Sequence, residues 1–473
     1  MLYFVNGYSN TILYRKEMTD MSKYKAKNYQ MDMCNGPILK KMLIFTIPLI
    51  CSSVLQLLFN AVDVIVVGKY AGDHALAAVG SNTSLINLFV NFFMGLSIGA
   101  NVLVSRYYGA KQEKELSETV HTTIAISLFS GVILAILGVV LSPTILRWMQ
   151  APEEVLSLAV VYLRVYFVGM PALMLYNFGA AILRAIGDTK RPLYFLAIAG
   201  VVNVTLNLFF VIKLHWGVFG VAFATVISQV ISAWFVLRCL MKETGGIRVE
   251  IKKLYIHKDK IKRMLQIGVP AGLQSVLFSI SNVLIQSSIN SFGAIVVAGN
   301  SAAANIEGFV YVAMNAFYQA NISFTSQNMG AGKYHRLNRI LFTAQGCVIL
   351  TGLITGISCY VAGPMLLTLY TNSPEVIAAG MIRLGYICLP YFIIGIMEVM
   401  VGSLRGMGYA VFPMIVSLIG SCALRIVWLQ TVFQIERFHN IETVYIVYPI
   451  SWVITAIAHI ITYIVVKRKL INV

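Results

Sequence analysis

The chain has 473 residues, 58% of them apolar, with a mean hydropathy of +0.78 and only 12% charged. Soluble domains carry about 25% charged residues, so composition excludes a soluble fold and points to a polytopic helical membrane protein. The net charge of +17 does not signal nucleic acid, because the basic residues gather in short loops on one side of the predicted membrane.

Residues 1–35 are polar and basic, with no apolar run long enough for a signal peptide. They are expected to form a disordered cytoplasmic N-terminal tail, with a natural start readable at Met31. Twelve spans follow, near 43–67, 76–103, 119–142, 155–182, 193–212, 217–240, 264–291, 294–323, 340–362, 376–402, 412–432 and 443–466. Of the 36 Lys and Arg, 29 fall in the tail, the C-terminus and the loops after even-numbered spans, against 4 in the opposite loops. Both termini are therefore expected in the cytoplasm.

The chain repeats itself. FTIPLICSSVLQ answers QIGVPAGLQSVLF, RYYGAKQEK answers QNMGAGKYH, and LRAIGDTKRP answers LRGMGYAVFP, always at an offset of 219 to 222 residues. Each half holds six spans, so the two repeats are parallel and related by an axis along the membrane normal. The expected division is an N-lobe over 36–241, a basic cytoplasmic linker over 242–262 and a C-lobe over 263–473. The seven cysteines form no CxxC pair and histidine is scattered. Reduced thiols are expected, and no metal cluster or cofactor.

Span one carries a polar stripe. Ser52, Gln56, Asn60 and Asp63 follow one another at spacings of four, four and three, which places them on one helix face. A carboxylate inside hydrocarbon is unfavourable by about 2.5–3.5 kcal/mol on insertion scales and is functional by default, so Asp63 reads as a cation-handling or proton-handling site. Pro48 lies fifteen residues earlier on the same span and lacks an N–H, which makes it the candidate hinge. Asn203 and Asn207 share a face of span five, and Thr225 and Gln229 share a face of span six. Their oxygens suit a hard cation beside a carboxylate, although hydrogen bonds between helices would explain the same residues. Only Asp63, Glu307 and Glu398 are acids well inside spans. The repeat maps Asp63 to Ile285, Glu398 to Asn177 and Glu307 to Leu85. Glu398 and Asn177 thus occupy equivalent, inward-turned positions. Gln56, Asn60, Met174, Gln286, Glu307 and Glu398 are the candidate substrate-cavity residues. Arg164 and Arg383 lie near span ends and are expected to snorkel to headgroups.

The stretches IPLICSSVLQLLFNAVDVIVVGKYAGDHALAAVG, LVSRYYGAK, LRAIGDTKRP and WGVFGVAFATVISQ resemble the multidrug and toxic compound extrusion (MATE) transporters, and the GPILKKML opening resembles their bacterial MepA-like branch. The resemblance covers about residues 36–470. It implies an all-α bundle of twelve helices in a V-shaped, two-lobe arrangement. It also implies cation-coupled export of amphipathic, often cationic, small molecules across a bacterial plasma membrane. The family's first-lobe cation site falls on Asp63, Asn177, Asn203, Asn207 and Thr225. Asn207 stands where many relatives have Asp, so this pocket holds one carboxylate, and either H⁺ or Na⁺ at Asp63 fits the sequence. The expected partners are drug-like substrates and the lipid bilayer, with the monomer as working unit. The rival within the wider superfamily is a lipid-linked oligosaccharide flippase. It is disfavoured because the deep in-span charges read as chiefly acidic. A membrane enzyme is disfavoured by the lack of a nucleophile–base or metal constellation, so a secondary antiporter is expected.

Overall fold

The computed structural model describes residues 29–149 and 152–471. Among them every regular element is helical, as lipid demands of an open chain: only a helix satisfies its backbone groups within one segment. The helices are α1 (Ile38–Tyr70), α2 (His74–Gly109), α3 (Glu113–Trp148), α4 (Glu153–Val168 and Met170–Ala185), α5 (Lys190–Lys213), α6 (Gly217–Lys242), α7 (Lys258–Asn290), α8 (Ala294–Gly330), α9 (Tyr334–Val361), α10 (Pro374–Gly406), α11 (Val411–Gln434) and α12 (Ile441–Lys469). All twelve predicted spans are found. The fourth is bent by 47° between its segments. The bend follows from Gly169 and Pro171, since Pro171 cannot donate to the carbonyl four residues back. Two spans carry π-helical turns, Phe209–Lys213 in α5 and Leu418–Ala423 in α11.

The two larger apolar cores organise the helices, one per lobe, but these cores exchange the bases of their first helices. In α1, Met42, Phe45 and Leu49 pack in the C-lobe core, whereas Val66 and Val67 pack in the N-lobe core. In α7, Met264 packs in the N-lobe core, whereas Ile285 and Ile289 pack in the C-lobe core. Pro48 and Pro270 are buried inside their helices; Pro270 stands between the two stretches of α7, whereas Pro48 lies within the first stretch of α1, beside Leu49. The domain boundary is therefore not a clean cut at 241, because the base of α1 belongs to the other lobe's core.

The lobes meet on the side of the bundle that holds the chain termini, called here the terminal side. Gly95 lies against the backbone of Gly272, where a Cβ would come within 2.3 Å of the Gly272 nitrogen. Ser323 Oγ donates to Asn101 Oδ1 at 3.1 Å, and Phe45 meets Phe324 edge-on at 5.8 Å.

The expectation of a free tail needs correcting for its last residues. Residues 1–28 lie outside the described residues. Residues 31–36 form a strap beneath both lobes. Met31 N–H donates to Ile186 O at 3.1 Å in the N-lobe. Met33 N–H donates to Gln327 Oε1 at 3.3 Å, and Asn328 Nδ2 donates to Met33 O at 3.0 Å, both on α8. Gln327 Nε2 in turn donates to Ala185 O at 2.7 Å, and Arg336 Nη2 donates to Gly36 O at 3.0 Å. Met33 is wholly buried.

The linker is also seated. Glu250 N–H donates to His121 Nε2 at 3.0 Å, His257 N–H to Thr122 Oγ1 at 3.1 Å, and Ile247 and Val249 are buried.

Candidate functional site

The N-lobe assembles a polar chain around Asp63. Helical spacing of four puts Asn203 and Asn207 on the face of α5 that meets α1 and α6. Asn207 Nδ2 donates to Asp63 Oδ1 and also to Asn203 Oδ1, the latter at 3.2 Å. Asn203 Nδ2 donates to Thr225 Oγ1 at 3.3 Å, and Thr225 returns its proton to Val221 O at 3.0 Å. Asn203 and Asn207 are buried, while Asp63 and Thr225 are half-buried. Two buried amide oxygens on these helices, Asn207 Oδ1 and Gln229 Oε1, accept no hydrogen bond among the described residues. Buried oxygens normally find a donor, so their freedom requires a reason. A carboxylate with amide and hydroxyl oxygens is a donor set for a hard cation.

Four of the five residues expected at this site are thus joined by hydrogen bonds. Asn177 is half-buried on α4 and hydrogen-bonds none of them. Gln56 and Asn60 are exposed on α1, on the stripe that leads to Asp63. Glu398 is half-buried on α10, with no hydrogen bond or ion pair among the described residues.

Two cavity assignments are corrected. Met174 is 0% exposed within the N-lobe core, so it packs and lines nothing. Glu307 is not an open acid. Arg383 donates to it through Nε at 2.7 Å and Nη2 at 2.8 Å, a bidentate pair with both side chains buried. Arg383 therefore does not snorkel to headgroups; its Nη1 donates to Asn300 Oδ1 at 2.6 Å. Gln286 joins the same network, accepting from Asn300 Nδ2 at 3.0 Å. Sequence reasoning missed this cluster because its members lie on α7, α8 and α10, and no spacing rule links them. The signal was the pair of opposite charges inside spans eight and ten.

It also missed Arg405, whose Nη2 donates to Gln274 Oε1 at 2.9 Å and whose Nη1 donates to Tyr318 Oη. With Arg383 and Arg425 it makes three buried arginines in the C-lobe. The reading that deep charges are chiefly acidic is corrected accordingly. On the terminal side, Glu115, Glu118 and Asp259 cluster closely enough to hold a metal. Lys260 already sits among them, with its Nζ 3.4 Å from Glu118 and 2.7 Å from Asp259, which accounts for the acids.

The profile of the MatE family matches residues 48–209 and 270–429, once in each repeat. The chain belongs to the MatE family. A Bacillus subtilis relative, "Probable multidrug resistance protein YoeA", is 28% identical over 425 residues, covering 88% of this chain and 91% of that protein. The "Multidrug export protein MepA" of Staphylococcus aureus strain MSSA476 is 20% identical over 373 residues, covering 79% and 82%. A solved MATE structure in complex with MaL6 superposes with a TM-score of 0.87 at 22% identity, covering 93% of this chain and 99% of that one. The expected MATE fold is therefore the observed one, and this MatE protein is an integral membrane transporter of the multidrug efflux family, not an enzyme.

Proposed function

We propose that this MatE protein is a secondary antiporter that exports amphipathic or cationic compounds while H⁺ or Na⁺ enters through Asp63. The observation that carries this reading is the Asp63–Asn207–Asn203–Thr225 chain with an unpartnered buried oxygen on Asn207. Proton binding neutralises Asp63 directly. A sodium ion does so by drawing on Asp63, the free amide oxygen of Asn207 and the hydroxyl of Thr225. In either form the site is neutral and can be sealed from water, whereas an empty charged carboxylate resists sealing. That difference supplies the free energy by which an ion gradient biases the lobes between two states. Glu398, which has no hydrogen bond or ion pair among the described residues, attracts the cationic head of a substrate, and Gln56 and Asn60 offer hydrogen bonds along α1.

The protein works as a monomer in a bacterial plasma membrane, with the terminal side in the cytoplasm; the one-sided Lys and Arg distribution supports that orientation. Purified protein in proteoliposomes, given pH and sodium gradients separately, tests the reading. Efflux of a cationic dye driven by one gradient and abolished by Asp63→Asn is expected. Efflux in the absence of either gradient would overturn antiport.

A further inference from the structure

Each repeat holds a charge at its fifth helix, Asp63 against α5 in the N-lobe and Arg425 on α11 in the C-lobe. From Pro192 and Pro413 onward, α5 and α11 run in step at an offset of 221 residues, so Asn203 corresponds to Leu424. The π-helical turn at Leu418–Ala423 lies between Pro413 and that position. A π-turn closes with one residue more than an α-turn, so beyond it each side chain takes the direction of its predecessor. Arg425 thereby points as Leu424 would in an unbroken helix, on the face that Asn203 uses in the N-lobe.

The local bonding repeats too. In the N-lobe, Asn203 on α5 donates to the hydroxyl of Thr225 on α6. In the C-lobe, Arg425 Nε on α11 donates to the hydroxyl of Ser451 on α12 at 2.9 Å. The Arg425 guanidinium lies over the Tyr448 ring, 4.4 Å from its centroid, and Arg425 is 3% exposed. Among the described residues no carboxylate oxygen lies within 4.0 Å of it. Arg383 differs, because Glu307 neutralises it. A buried guanidinium without a counter-charge is unfavourable and marks a site that charge is meant to enter.

We propose that Arg425, with Ser451 and the Tyr448 face, forms an acceptor site for a monoanionic group in the C-lobe, the opposite-charge counterpart of the Asp63 site. The occupant is a carboxylate carried by the substrate or a free inorganic anion such as chloride. Among the described residues the two terminal nitrogens of the guanidinium have no hydrogen-bond acceptor, which suits a two-point grip on such a group. The site deepens the exporter reading by extending the cargo to zwitterions, but anion binding is measured without transport and stands or falls separately.

Two ligands test it, an amphipathic amine and the same amine bearing a carboxylate, each titrated against purified full-length protein in sodium sulfate, whose dianion is not the monoanion the site fits. Thermal stability is followed in parallel as sodium chloride replaces sodium sulfate at constant ionic strength. A substrate carboxylate is the occupant if Arg425→Gln weakens the carboxylate ligand about tenfold or more, spares the amine, and Arg425→Lys recovers part of the loss. A free anion is the occupant if chloride raises the stability of the wild type and not of Arg425→Gln. Equal loss for both ligands overturns the proposal. So does a wild-type protein that responds to neither carboxylate nor chloride, a result that needs no variant to fold.

Discussion

Arg383 on α10 grips Glu307 on α8 through two parallel N–H···O bonds of 2.7 and 2.8 Å. Glu398, on the same helix as Arg383, makes no hydrogen bond or ion pair among the described residues. The two acids looked alike as intramembrane carboxylates, yet their partners divide their roles. Removing one member of a buried pair strands the other charge, which destabilises by about 3–5 kcal/mol. Glu307→Gln is therefore expected to lower the melting temperature of purified protein markedly. An unchanged melting curve would show that the pair contributes little.

Glu398→Gln should do the opposite. With no ion pair to break, the fold is retained. Efflux of cationic dyes should fall several-fold while neutral dyes are spared, as expected for one charge-assisted contact. Equal loss for both dye classes would assign Glu398 to coupling and remove it from recognition.

Asp63→Asn keeps the shape of the neutral acid and can still meet Asn207. It should reach the membrane and bind dye, yet lose at least about tenfold of its gradient-driven efflux, because it no longer distinguishes ion-bound from empty states. Dye binding to purified mutant alongside efflux from vesicles separates the two. Full efflux with normal gradient dependence would exclude Asp63 as the coupling group.

The strap gives a fourth prediction. Gln327→Ala leaves Met33 N–H buried without its partner, unfavourable by about 1–3 kcal/mol, and leaves Ala185 O with Ser105 Oγ as its remaining side-chain donor. The closure beneath the lobes should weaken. Cys34, buried at 8% exposure, is a native reporter. With the other six cysteines replaced by serine, its maleimide labelling should quicken about tenfold in Gln327→Ala. Deleting residues 1–28 should leave the labelling rate unchanged. Equal labelling with and without Gln327 would mean that the strap does not hold the closed side.

Much of this architecture was legible in the sequence. Apolar runs of membrane length marked the spans, and three matched landmarks marked the two parallel halves. The Asp63 site was legible because its members obey helical spacing within α1 and α5. What escaped depends on contacts between distant elements. The strap is short, and the groups that hold it lie far away in the chain: Gln327 and Asn328, about 295 residues on, and Ile186 in the other lobe. The Arg383–Glu307 pair spans 76 residues and obeys no periodicity. Met174 has the chemistry of a compliant pocket wall, but composition cannot distinguish a wall from the packing behind it.

The exchanged bases of α1 and α7 have a consequence for how the molecule is divided and made. Neither six-helix half contains all the side chains that fill its own core. The first half lacks Met264, and the second lacks Met42, Phe45 and Leu49. Each half made alone would present a notch where its sibling's helix belongs. Two halves produced as separate chains, cut within the linker, should therefore find each other in the membrane, whereas either one by itself should be degraded. The duplication behind the repeats has become an obligate partnership, and the linker serves chiefly to deliver both partners together.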